Sequence, residues 1–392
     1  MSAPDARPLD PLVAPSEELT TEELARYSRH LLLPEVGVEG QRRMKSARVL
    51  VVGAGGLGAP VLTYLAAAGV GTIAVVDDDV VDVSNLQRQV LFGRADVGRR
   101  KVDVTAARLN EINPHVRVIT HATRIDASNA LDLFRGYDLI LDGTDNFATR
   151  YLVNDACVIL GLPYVWGSVF RFEGQVSVFW EEHGPQYRDL YSEPPPAGLV
   201  PSCAEGGVLG SLCSMVGATM ATEALKLIVG TGEPLVGRLL VLDALSMRWR
   251  SFPVLRQPNT LRVRDLDEWP YEERCALPAP AAVEHSPGSH ITVGDLRALL
   301  AQPDEAAGVT LVDVREPWEH QMGAIPGSVL MPSGKLSDAT ARAELLRHDS
   351  VILYCKSGMR SQTCLTALQA DGHPGARTLV GGYDAFAEDA SR

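Results

Sequence analysis

A chain of 392 residues, 46% of them hydrophobic, has room for two or three domains with cores of their own. Its formal net charge of −13 argues against general binding to nucleic acid or an anionic membrane, yet leaves room for a local basic pocket. Six cysteines without a C-x-x-C pair form neither a disulfide framework nor a zinc site, and fit a reducing, cytoplasmic compartment.

Residues 1–18 are rich in proline and acid, have no apolar core of a signal peptide, and read as a disordered arm. Thr20-Thr21-Glu22-Glu23 starts a helix, and Arg26, Arg29 and His30 follow as a solvated face or a phosphate-contacting arm. RVLVVGAGGLG (48–58) is the strongest local signal: a buried strand breaks into G-x-G-x-x-G and then a helix. Gly53 permits the tight turn, Gly55 lets a phosphate approach the backbone, and Gly58 lets the helix pack closely, with Gly56 as an extra glycine. The helix N-terminus supplies free N–H groups and a positive dipole end for an anion. A tight turn without a ligand is the alternative.

The next strand ends in Asp77-Asp78-Asp79, near where a dinucleotide fold places its ribose-binding acid. The cluster Asn85, Gln87, Arg88 and Gln89 suits a triphosphate better than a nicotinamide, Arg88 forking onto phosphate. Lys101 opens a further helix and is a second cation for the same phosphates or a solvated lysine. YDLILDGTDN (137–146) is a buried strand whose carboxyl end carries Asp142, Thr144, Asp145 and Asn146. An Asp there suits Mg²⁺, which takes one or two carboxylates plus substrate phosphates; an Asp capping the next helix is the competing reading. PYVWGSVFRFEGQVSVFW reads as sheet, and a proline-rich loop then ends at Cys203, before a glycine pair and a helix. Val208 to Val229 is apolar but interrupted by Glu223 and Lys226, and reads as a buried helix rather than a membrane span. Cys157 and Cys213 read as packed core.

VGAGGLG, VVDDDVV, SNLQRQ, GRRKV and DGTDN stand in the order and spacing of the ubiquitin-activating-like adenylyltransferases, and the segment from about 20 to 265 resembles the MoeB and ThiF enzymes. The resemblance implies a Rossmann-like ATP-binding domain with a mixed sheet over 19–270. It implies adenylation of the C-terminal Gly-Gly tail of a small ubiquitin-like sulfur carrier, with ATP and Mg²⁺. By position, Arg29, Arg88, Lys101 and Arg150 would serve the phosphates, Asp77 the ribose, and Asp145 the Mg²⁺. The wider ATP-contacting set is Gly53, Gly55, Gly56, Gly58, Asp79, Ser84, Asn85, Leu86, Gln87 and Asn146. Cys203 matches a cysteine of sulfur or acyl transfer, and a homodimer in which Arg29 reaches the partner's ATP is expected. The pairs of cysteines that commonly hold zinc in MoeB-like enzymes are missing: Gln186-Tyr187-Arg188-Asp189 stands in one place, and Arg256 to Val263 contains no cysteine. No zinc is expected, and something else must hold those loops.

A linker over 271–289, rich in Ala and Pro, reads as a semi-extended tether. Residues 290–392 form a small α/β unit resembling a rhodanese domain in DVREPWEH, G-x-I-P-G-S, C-x-x-G-x-R and the closing LVGGYDAF. Cys355 begins a six-residue loop between a strand and a helix, where convergent N–H groups and Arg360 would stabilise a persulfide or a bound oxyanion. A phosphatase loop of this kind is normally one residue longer, which favours sulfur, from thiosulfate or a persulfide. Cys364 reads as core. A nicotinamide oxidoreductase and a non-catalytic carrier-binding scaffold are the other readings of the whole chain.

Overall fold

The computed structural model describes residues 9–195, 206–275, 288–302, 306–336 and 338–389. The chain divides into two compact units, Met1–Ala276 and Leu277–Arg392, each with its own sheet.

In the first unit, β1 (Arg48–Val52), β2 (Thr72–Val76), β3 (Arg117–His121), β4 (Leu139–Asp142) and β5 (Tyr164–Phe170) run parallel. Three antiparallel strands extend the sheet: β6 (Glu173–Phe179), β7 (Arg238–Asp243) and β8 (Arg248–Pro253). The order β3-β2-β1-β4-β5-β6-β7-β8 reverses direction at β1, so a crevice opens between the carboxyl ends of β1 and β4. The apolar runs of β1 and β4 are buried because helices cover both faces of the sheet. Helix Gly58–Ala68 packs on one face beside Gly210–Val229. By length and composition alone, Gly210–Val229 is apolar enough to cross a membrane, yet most of its apolar window lies inside this core. Its Glu223 is buried, accepting from Leu235 N at 2.8 Å and pairing with Lys226.

Thr20 caps helix Thr21–Arg26 in a reciprocal box with Glu23. The arm expected over 1–18 is not free from Leu9 onward: Leu9, Leu12 and Val13 pack on the core, and Leu12 N bonds Leu227 O at 3.1 Å. Three apolar side chains among the prolines suffice to dock it. Residues 1–8 and most of the linker lie outside the described residues. Tyr271–Cys275, expected in the linker, is a helix whose Tyr271 is buried in the first unit.

The segments that a zinc site would join are held by hydrogen bonds. One Asp189 oxygen accepts from Gln186 N at 2.9 Å; the other accepts from Gln257 N at 2.8 Å and from the Thr260 hydroxyl. Beside them Arg188 forks onto Asp155 at 2.8 and 2.6 Å, and Tyr271 OH donates to Asp155 at 2.7 Å. The Arg188 guanidinium packs on the adjoining rings of Tyr151 and Trp269, at 4.7 and 4.4 Å.

The second unit has an all-parallel sheet of order β11-β10-β12-β13-β9. Its strands are β9 (His290–Ile291), β10 (Val309–Asp313), β11 (Val329–Leu330), β12 (Ser350–Tyr354) and β13 (Ala376–Leu379). Central β12 ends directly at Cys355.

Asp155 and Arg188 are fully buried, so removing one leaves an uncompensated charge. Asp155→Ala should therefore cost about 3–5 kcal/mol, read as a lower urea midpoint for the first unit's transition; an unchanged midpoint would contradict the clasp.

Candidate functional site

A cavity of about 410 Å³ fills the crevice of the first unit. Its floor is the glycine turn. Gly53 takes φ +88°, which only glycine adopts without strain, and a Cβ on Gly58 would lie 1.9 Å from Gly53 O. Gly55 faces open space, with Gln89 Nε2 the nearest atom at 3.9 Å, as a phosphate-receiving turn requires. Gly56 backs onto Cys213: its Cβ would meet Sγ at 3.0 Å. Cys213 is thus core, as its sequence context implies, and also part of the cavity wall.

Asp77 fixes the turn to β2. One carboxylate oxygen accepts from Ala54 N at 2.8 Å and the other from Asp79 N at 2.9 Å. Burial pushes its carboxyl up, against the opposing pull of Lys101. Lys101 is buried and donates to Asp79 at 2.7 Å. Arg88 lines the cavity while one nitrogen holds Ser84 O at 3.1 Å.

At the end of β4 the polar residues divide their work. Asp142 is buried, accepts from Thr144 N and Oγ1 at 3.0 and 2.7 Å, and has its carboxyl pushed up by burial. Asn146, not Asp145, caps helix Phe147–Leu160, accepting from Thr149 N at 2.8 Å. Asp145 is exposed at the cavity wall, and no hydrogen bond or ion pair among the described residues engages its carboxylate. Arg150 is 7% exposed, reaches Thr144 O at 3.3 Å, faces the rings of Phe147 and Trp166, and leaves Nε without a partner.

Gly53, Gly55, Gly56, Asp77, Asp79, Asn85, Arg88, Lys101, Asp145, Asn146 and Arg150 therefore meet at one cavity. Five expected contacts do not line it. Gly58 packs against Gly53, Leu86 turns toward the core, Ser84 and Gln87 are exposed, and Arg29 is exposed on helix Ser28–Leu31. Cys203 lies outside the described residues. Sequence reasoning missed Thr123, Arg124 and Ile125, which follow β3; a strand-end rule applied to β3 would have found them. Gln89, grouped by the sequence with the triphosphate cluster, lines the cavity and is buried with Oε1 unpartnered.

In the second unit the Cys355 loop is closed from behind by the glycine pair of LVGGYDAF. A Cβ on Gly382 would lie 2.5 Å from Cys355 O, and Tyr383 N bonds that oxygen at 2.8 Å. Gly358 N donates to Cys355 Sγ at 3.1 Å, and the Ser361 hydroxyl lies 3.7 Å from it. Arg360 turns both terminal nitrogens onto Glu319, each at 2.7 Å. Arg315 forks onto Asp313 in the same way, and His320 joins that carboxylate at 2.9 Å.

The ThiF family matches residues 27–263, and the rhodanese-like domain matches residues 292–389. A probable adenylyltransferase/sulfurtransferase MoeZ of Mycobacterium tuberculosis is 54% identical over 97% of this chain and 97% of its own length. The chain belongs to the ThiF family. It is an adenylyltransferase joined to a rhodanese-like sulfurtransferase, and ThiF-family adenylyltransferases use ATP. A Thermus thermophilus sulfur carrier protein adenylyltransferase is 55% identical over 61% of this chain and 90% of its own. The mouse adenylyltransferase and sulfurtransferase MOCS3 is 40% identical over 92% of this chain and 83% of its own. Escherichia coli MccB, solved with ATP, shares the fold at a TM-score of 0.54 and 23% identity, covering 64% of this chain and 76% of its own.

The remaining thiols of this ThiF-family chain differ in kind from Cys355. Burial, then the Cys355 charge, pushes Cys364 up to about 11; burial pushes Cys275 up to about 12. Both are protonated at pH 8, and iodoacetamide should leave both unmodified in the native protein, as mass spectrometry of digests will read. Alkylation of either at the rate of free cysteine would contradict this.

Proposed function

We propose that the first unit adenylates the C-terminal glycine of a small ubiquitin-like sulfur carrier ending in Gly-Gly, and that the second supplies the sulfur that makes its thiocarboxylate. The observation that carries this reading is the pair Asp145 and Arg150 at the β4 end, opposite the glycine turn, with no carboxylate or cation of the fold bonded to either. Arg150 is buried and acts on the Asp142 carboxyl through space, without an ion pair among the described residues, and a phosphate or carboxylate would give its guanidinium a directly bonded anion.

The carrier carboxylate attacks the α-phosphorus of ATP, and pyrophosphate leaves with the bonding electrons. Arg88, Lys101, Arg150 and the N–H groups of the turn stabilise the charge that develops on the phosphoryl oxygens. Asp145, a hard oxygen donor not engaged within the fold, fits Mg²⁺, which when bound beside the phosphates supplies further neutralisation of that charge. In the second unit the Cys355 thiolate attacks the outer sulfur of thiosulfate or a persulfide, and sulfite or a thiolate leaves. The resulting persulfide attacks the acyl-adenylate carbonyl and releases AMP. A second thiol, for which Cys203 is the candidate, cleaves the acyl disulfide to thiocarboxylate. An external thiol then reduces the protein disulfide that remains.

Arg29, exposed outside its own cavity, is available to a partner's in a homodimer. The thiols imply a cytoplasmic site of action, and the carrier serves molybdopterin or cysteine biosynthesis.

Asp145→Ala should abolish ATP–pyrophosphate exchange with a diglycine-tailed carrier while Cys355 still acquires sulfur; full exchange would remove Asp145 from the site. Cys355→Ala should do the reverse, sparing exchange but losing thiosulfate-driven thiocarboxylate. Mixed Arg29→Ala and Asp145→Ala chains should recover exchange through hybrid dimers; no recovery despite proven subunit exchange would place Arg29 outside the partner's site.

A further inference from the structure

The Cys355 loop is poorer in positive charge than its sequence implies, because the charge of Arg360 is matched by a carboxylate of the fold. Its two terminal nitrogens meet the two oxygens of Glu319 at 2.7 Å each, in an end-on bidentate pair. The pair is sheltered: the Glu319 side chain is 9% exposed and that of Arg360 is 29% exposed. Glu319 is also held by the backbone, since its Oε2 accepts from Glu316 N at 2.9 Å in the box that caps helix Pro317–Gln321. Burial opposes the charge, yet the bonds from Arg360 and Glu316 N keep this carboxyl below its usual range, so it is ionised at neutral pH. The neighbouring cation, Arg315, is likewise matched by Asp313 at 2.7 Å. Near the thiol this leaves neutral donors to Sγ, the N–H of Gly358 at 3.1 Å and the Ser361 hydroxyl at 3.7 Å, and Lys356 as an exposed charge.

We propose that Glu319 is a specificity-determining residue: by neutralising Arg360 it selects sulfur donors of low negative charge, such as an alkyl persulfide, over the thiosulfate dianion. The proposal rests on the reading of Cys355 as the sulfur-accepting thiol. Both donors react by the same two-electron displacement. The Cys355 thiolate forms a bond to the outer sulfur, the old S–S bond breaks, and its electron pair leaves on sulfite or on the alkyl thiolate. No oxidant or reductant is consumed, so the donors differ in the charge that must be brought beside the thiol. Sulfite carries its charge on oxygens that ask for a cation, and the charge of Arg360 is already matched by Glu319. A cysteine persulfide leaves as a thiolate that asks for far less.

The test uses the full chain and follows gain of one sulfur atom at Cys355 by mass spectrometry, with Cys355→Ala as the blank. The donors are thiosulfate and cysteine persulfide. Glu319→Gln keeps the shape and the acceptor for Glu316 N but frees the Arg360 charge. It should raise the second-order rate with thiosulfate about tenfold, the size of one charge-assisted contact, and leave the rate with cysteine persulfide within about twofold. Glu319→Asp, which restores the charge, should restore the preference. Should Glu319→Gln not fold, Glu319→Ala removes the same carboxylate and gives the same readout. A thiosulfate rate that is unchanged or lower, or both donors accelerated alike, overturns the assignment of Glu319 while leaving Cys355 as the acceptor. Failure of both donors to load the unsubstituted protein overturns the sulfur-accepting reading itself, and the proposal with it.

Discussion

Three glycines meet where β1 and β4 part, and the first unit depends on none of them carrying a side chain. Gly58 presses its α-carbon against Gly53 O, and a Cβ on Gly143 would lie 3.1 Å from Gly58 N and 3.3 Å from Val52 O. The helix after β1 can start only because this junction is bare backbone. Within it Ala59 N donates to Gly55 O at 2.9 Å and Val61 N to Leu57 O at 3.3 Å, so it is the glycine turn itself that faces the crevice. Asp77 then locks the turn by accepting from Ala54 N, so the position of the phosphate cradle follows from β2 as well as from β1. Backbone approach fixes the second unit in the same way, where Gly382 lies against Cys355 O and Lys356 O. In both units the chemistry stands at the carboxyl ends of parallel strands, because the strand-to-helix turn there exposes N–H groups.

The two sites differ in how their cations are matched. In the first, Lys101 holds an aspartate that is itself largely exposed, and Arg150 has no ion-pair partner among the described residues. Such cations are ready to exchange onto a polyanion, and the site suits a triphosphate. In the second, Arg315 and Arg360 are each forked onto a carboxylate before any donor arrives. An overall acidic chain thus still gathers Arg88, Lys101, Arg124 and Arg150 around one crevice.

The strand–glycine–helix order, the strand-end acids and the cysteine loop were legible in the sequence because each is local: a few residues determine its backbone geometry. What was not legible depended on partners distant in sequence. Thr123 to Ile125 join the site only because β3 lies at the edge of this strand order. Asn146, rather than Asp145, caps its helix, a choice made by side-chain geometry at two adjacent residues that sequence leaves equivalent. Cys213 reads as core from its apolar helix and is core, but the missing Cβ of Gly56 also brings its sulfur to the cavity wall. The arm from Leu9 docks through apolar residues too few to register against its prolines and acids.

The absent cysteine pairs show how a sequence can state a need without its solution. Two loops that must be joined, around Gln186 and around Thr260, lack the ligands that join them in similar enzymes. Neither the Asp155–Arg188 pair nor the fan of donors on Asp189 has a motif. Asp155 sits mid-helix 33 residues before Arg188, and Tyr271 completes the set 116 residues after Asp155. A tetrahedral metal would fix four atoms in space through strong bonds. Here the same fixation is distributed over a bidentate ion pair, a phenol, two flanking rings and three donors on one carboxylate. An ion pair buried so deeply adds little net stability over a well-packed apolar substitute, because desolvation offsets its attraction. Its value lies in direction: a forked guanidinium packed on two adjoining rings accepts one orientation of the loop. That orientation also sets Tyr187, which is adjacent to Arg188 in the chain and whose phenol interacts with Arg150 in the nucleotide crevice. The clasp around Asp155 thus reaches the wall of the nucleotide crevice through two side chains.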